Sequence, residues 1–127
     1  MPSARFTGVQ TVAIPVQDQD AALAFYTSTL GLEVRFDAEL QAGFRWIDVA
    51  APHAPTSLAL VRAGNGLSAG IDTGIRLTTP DASAAHTALT EAGADVGELL
   101  LWETAPPMFS FRDPDGNTLY VTEVPPG

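Results

Sequence analysis

Apolar and polar residues alternate in short blocks along this chain, and the blocks come in a fixed order. Val12, Ile14 and Val16 stand two apart, the period of a strand with one buried face. Asp18 or Asp20 then offers a helix cap. Ala22, Phe25, Tyr26 and Leu30 fall on or near one helical face, and Gly31 supplies the stop. Leu32 to Phe36 returns to a strand pattern, and Phe44 to Val49 and Ser57 to Val61 add two more runs.

The second half replays this order. Ile75 to Thr79 reads as a strand, Asp81 or Ser83 as a cap, and Ala85, Ala88, Leu89 and Ala92 as a helix face ended by Gly93. Strands are expected around Val96, at about Leu99–Trp102, at Met108–Arg112 and at Thr118–Thr122. Val12 maps onto Ile75 and Asp18 onto Asp81 at a shift of 63 residues, and Gly31 onto Gly93 at 62. The last two runs flank Asp113-Pro114-Asp115-Gly116-Asn117, where Pro presets one turn angle and Gly accepts a positive φ, so a tight hairpin is expected. The glycine-rich stretch 63–70 reads as a linker. The pattern predicts one α+β domain over 1–127, made of two βαβββ modules at about 6–62 and 71–124. Each module is marginal alone, so the two should pack together.

Composition narrows the classes of function. The chain has 127 residues, 46% of them apolar, and holds no apolar run of about 20 residues, so no membrane span is expected. It has no cysteine, which excludes disulfides, thiolate metal sites and thiol catalysis. The start, Met1-Pro2-Ser3-Ala4-Arg5, has no apolar signal core, and a cytoplasmic protein is expected. Net charge is −9 and every basic residue is Arg, so no basic stripe exists to displace phosphate counterions and nucleic-acid binding is disfavoured. The acid is uneven: residues 64–127 carry nine acids against two arginines. That imbalance serves solubility, or a field that gathers a cationic ligand.

The repeated module, together with Ala24-Phe25-Tyr26, Leu30-Gly31-Leu32-Glu33-Val34, Glu91-Ala92-Gly93-Ala94 and the Asp113–Asn117 turn, resembles the vicinal oxygen chelate superfamily over about Phe6 to Glu123. That superfamily includes glyoxalase I, extradiol dioxygenases and bleomycin-resistance proteins. The resemblance implies sheets curled into a cup, helices outside it, and homodimers that often complete the cup between subunits. It also implies one metal ligand on each of four cup strands in the metal enzymes. Those positions are here Thr11, about Ala59, Gly74 and Tyr120. A hydroxyl, a methyl, a hydrogen and a phenol do not make a divalent-metal site. No metal and no cofactor are therefore expected.

Period two sorts the remaining side chains. Val12, Ile14, Val16, Leu58, Leu60, Ile75, Leu77, Leu119 and Val121 should lie under the helices. Thr11, Ala13, Pro15, Ser57, Ala59, Val61, Gly74, Arg76, Thr78, Thr118, Tyr120 and Thr122 should face the cup. Arg76 is either paired with an acid such as Asp48 or Glu123, or a fork for a ligand carboxylate or phosphate. Tyr120 offers a phenol to a ligand, or finds a backbone carbonyl. Trp46 and Trp102 supply aromatic walls, Thr11 and Thr78 hydroxyls, and Glu103, on the proline-stiffened loop after Trp102, a charge for a cation. His53 and His86 read as solvated residues without ligand spacing. The expected function is metal-free binding of a small organic ligand, aromatic or cationic. A glyoxalase-like lyase, isomerase or dioxygenase-related enzyme, or a structural partner with a filled cup, stands as the alternative.

Overall fold

The computed structural model describes residues 4–64 and 66–125, so Asn65 of the expected linker and Met1–Ser3 of the expected start lie outside the described residues. The first module runs β1 (Thr11–Val16), α1 (Gln19–Ala24) with a π-helical turn (Phe25–Thr29), β2 (Glu33–Gln41), β3 (Phe44–Ala50) and β4 (Ser57–Arg62). The second runs β5 (Asp72–Thr79), α2 (Ala82–Glu91), β6 (Asp95–Val96), β7 (Met108–Arg112) and β8 (Thr118–Glu123). Each builds its own four-stranded sheet, in the orders β1-β4-β3-β2 and β5-β8-β7-β6. The first and last strands of each module pair in parallel, the rest antiparallel. No helix among the described residues is long and apolar enough to cross a membrane.

Local chemistry sets the ends of the helices. Asp18 and Asp81 are the caps, each accepting from the backbone N–H three residues on at 3.0 Å. Asp20 instead meets Arg45 at 2.8 Å. The π turn begins at Phe25, and Gly31 at φ +76 turns the chain into β2.

Two strands differ from expectation. β2 runs to Gln41 rather than Phe36, and every residue on it is exposed. Its far half carries Asp37, Glu39 and Gln41, so burial periodicity is absent there. Pairing with β3 holds it in place, and Arg45 grips Asp37 at 2.8 Å. Leu99–Trp102 forms no strand, only a bridge between Leu100 and Met108. Pro106 and Pro107 follow it and lack the N–H groups a longer ladder needs.

One core serves both modules. Ile14, Val16, Leu58 and Leu60 of the first sheet and Phe109, Phe111, Leu119 and Val121 of the second belong to a single buried cluster. All eight lie on helix-bearing faces. Phe25, on the first module's π turn, packs on Phe111 of the second sheet with ring centroids 6.3 Å apart. The modules thus meet through their helix sides, and the opposite faces of the two sheets point away from the shared core.

Candidate functional site

The outward face of the first sheet is aromatic around one carboxylate. β3 pairing sets Asp48 beside Phe36 and Ala59, and Trp46 beside Ala38. Trp46 Nε1 donates to Asp48 Oδ1 at 3.1 Å, and the Thr11 hydroxyl lies 3.2 Å from the Ser57 carbonyl and 3.4 Å from the same Oδ1. Phe44 meets Trp46 edge-on, ring centroids 6.1 Å apart. Phe36 and Phe44 stay 41% and 42% exposed, so this wall is open in one chain.

The outward face of the second sheet is polar and built on a bulge. Asp72 pairs with Thr118 but Arg76 with Tyr120, so β5 spends four residues where β8 spends two. Gly74, at φ +69, makes the bend. Its N–H donates to Asp72 Oδ1 at 3.1 Å, and Ile75 N–H donates to the Thr73 hydroxyl at 3.1 Å. The bulge brings Asp72 to Tyr120, whose hydroxyl donates to Oδ2 at 2.7 Å. The Arg76 guanidinium carbon sits 4.6 Å from the Tyr120 ring centroid, and Nη1 donates to the Gly74 carbonyl at 2.8 Å.

These contacts set the charge states. The bond from Tyr120, then the Gly74 N–H and the charge of Arg76, hold the Asp72 carboxyl below its usual range. The same bond raises the Tyr120 phenol above the ordinary tyrosine value, with burial and the Asp72 charge adding to it. At neutral pH Tyr120 is a proton-bearing donor and does not itself serve as a general base.

The structure brings together Arg76 with Tyr120, and Thr11 with Trp46. Thr78 follows on β5, opposite Thr122. Trp102, 57% exposed, and Glu103 lie on the β6–β7 loop, and no described hydrogen bond or ring contact ties either to the other candidates. The expected partners of Arg76 are engaged elsewhere: Asp48 takes Trp46 and Thr11, and Glu123 Oε1 accepts from Ala82 N–H at 3.0 Å, capping α2. Tyr120 finds a carboxylate rather than a backbone carbonyl. His86 is a brace rather than a solvated residue, its Nε2 2.8 Å from the Gly97 carbonyl and its ring edge-on to Phe109. Sequence reasoning missed Asp72. It shares the parity of Gly74 and Arg76, so extending the strand back two positions would have placed it on the cup face.

The four metal-ligand positions do not fit a divalent ion. The Thr11 proton is directed at Ser57 and Asp48, Ala59 is a fully buried methyl, Gly74 has no side chain, and the Tyr120 phenol donates to Asp72. Among the described residues of one chain, no three His, Cys, Asp or Glu side chains gather as a metal site.

A cleft of about 860 Å³ lies between the two modules, and Gly74, Arg76 and Thr78 of β5 line it together with helix-side residues. Its walls include Leu30, Leu32, Ala51, Pro52, Ala85, Ala88 and Leu89. The internal repeat explains it. At the shift of 63, Phe25 and Tyr26 become Ala88 and Leu89. The two aromatic rings fill one junction between the modules, and the smaller pair leaves the other unfilled.

The chain belongs to the Glyoxalase/Bleomycin resistance protein/Dioxygenase superfamily, whose family model matches residues 8–121. Its fold is similar to that of a member of the same superfamily from Sphaerobacter thermophilus, at 35% identity and TM-score 0.87, covering 94% of this chain and 98% of that one. It is similar to TnmS3, an antibiotic binding protein from Streptomyces sp. CB03234, at 31% identity and TM-score 0.85, with the same coverage. A glyoxalase/bleomycin resistance protein from that Streptomyces is 32% identical, with TM-score 0.79, covering 91% of this chain and 99% of that one. No curated protein matches the chain.

Proposed function

We propose that this protein sequesters a flat organic molecule, without a metal, in a cup shared by two copies of the chain. One copy supplies the Trp46–Asp48 face and the other the Arg76–Tyr120–Asp72 face. The observation that carries this reading is the separation of the two faces. Within one chain they point away from the common core, and Phe36, Phe44 and Arg76 remain exposed. Exposed aromatic rings grouped on one sheet face mark a binding surface rather than chance exposure. The similarity to an antibiotic binding protein over nearly the whole of both chains supports a small-molecule ligand.

Trp46 reports the occupant directly. Titration with planar aromatic compounds should quench its fluorescence saturably, and Trp46→Ala should abolish the response. Saturable quenching that survives Trp46→Ala, or is absent from wild type, contradicts the proposal. Sedimentation should show a dimer at the concentrations where binding occurs. An enzymatic reading that uses Tyr120 as a base is disfavoured, since Asp72 holds the phenol protonated.

A further inference from the structure

We infer that the ligand of this cup carries an oxyanion, and that Arg76 selects it. The inference rests on the binding reading above and names the ligand class. It comes from which charged groups on the two outward faces are already engaged. Asp48 Oδ1 takes the Trp46 N–H and lies within reach of the Thr11 hydroxyl. Asp72 accepts on both oxygens, from Gly74 N–H and from Tyr120. Arg76 differs. It is exposed, gives one N–H to a neutral carbonyl, and among the described residues meets no carboxylate within ion-pair distance.

Arg45 shows what a structural arginine looks like in the same chain. It bonds Asp37 through Nε and Nη2 and Asp20 through Nη1. Arg76 lies over the Tyr120 ring and gives one N–H to the Gly74 carbonyl, which anchors the guanidinium and leaves most of its donors free. A pre-oriented fork without a carboxylate partner matches a carboxylate, phenolate or sulfate oxygen pair on a ligand. The surrounding acid repels an anion at long range, so selection acts at contact distance. A mostly neutral aromatic body with one oxyanion meets both conditions.

Three probes of one shape test this: naphthoate, naphthamide and naphthylmethylammonium, titrated against wild type, Arg76→Gln and Arg76→Lys with Trp46 as reporter. Wild type should hold naphthoate about tenfold tighter than naphthamide (~1.4 kcal/mol). Arg76→Gln should erase that ratio by weakening naphthoate more than naphthamide, and Arg76→Lys should restore part of it. If naphthamide or the ammonium compound binds as well as naphthoate, or the ratio survives in Arg76→Gln, the inference is wrong and the cup reading stands. If none of the three binds through Trp46, the cup reading fails and this inference with it.

Discussion

Tyr26 and Asp113, 87 residues apart in sequence, share a hydrogen bond of 2.8 Å at the centre of the junction between the two modules. Tyr26 is fully buried on the π turn of the first module, and Asp113 is buried in the hairpin of the second. The carboxylate accepts four times: Oδ2 from Tyr26 and Asn117 Nδ2, and Oδ1 from the backbone N–H of Asp115 and Asn117. Asn117, also fully buried, donates to the Pro15 carbonyl at 2.8 Å and accepts from Gly70 and Ile71. A network satisfied at this many atoms fixes one arrangement of the modules, because any slip leaves a buried polar group unpaired.

Tyr26→Phe removes one donor from a buried carboxylate. It should lower unfolding stability by about 1–3 kcal/mol in a urea titration. Burial first, then the Asp113 charge and hydrogen bond, push the Tyr26 phenol up. The folded state therefore keeps a proton that the unfolded chain begins to lose near pH 10. The contribution of Tyr26 is fully present below that pH and falls as pH rises above it. Urea midpoints measured at neutral pH and above pH 10 should converge between wild type and Tyr26→Phe. A constant gap would contradict this sign.

Gly74→Ala tests the bulge. A Cβ at Gly74 meets nothing within 4 Å, so the cost comes from the backbone angle alone, φ +69. It should be about 1–2 kcal/mol. Straightening β5 to relieve the strain would pull Asp72 from Tyr120. The phenol of Tyr120 should then titrate lower than in wild type, closer to the ordinary value, as read by ultraviolet absorbance with Tyr26→Phe as background.

Ala88→Phe tests the origin of the cleft between the modules. A ring at the position equivalent to Phe25 should fill part of the roughly 860 Å³ and raise stability by about 0.5–2 kcal/mol. Thermal unfolding reads the gain. A loss would mean that the cleft walls require small side chains for packing that the repeat does not predict.

Much of the fold was legible because the repeat is written in residues that act locally. Asp18 and Asp81 cap, Gly31 and Gly93 stop, and period two places Ile14, Val16, Leu60 and Leu119 in the core, all fully buried. What was hidden depends on contacts between distant segments. Tyr26 reads as one more residue on a helix face, and Asp113 as a turn former, and nothing nearby in sequence joins them. β2 was read too short because an exposed edge strand carries no burial period. The contact between Asp72 and Tyr120 is hidden because the Gly74 bulge changes the register of β5 against β8, and strict alternation has no bulges in it. Alternation places Thr11, Arg76 and Tyr120 on outward strand faces, but does not give the division of those residues between two separate faces. That separation follows from how the modules pack.

The most direct measurement is a fluorescence titration of the protein after dialysis against EDTA, wild type beside Trp46→Ala, using the naphthalene series. Saturable quenching is expected in the chelator-treated wild type and none in Trp46→Ala. Quenching that appears only after a divalent metal is added back, or that is indifferent to Trp46, would contradict metal-free binding at this face.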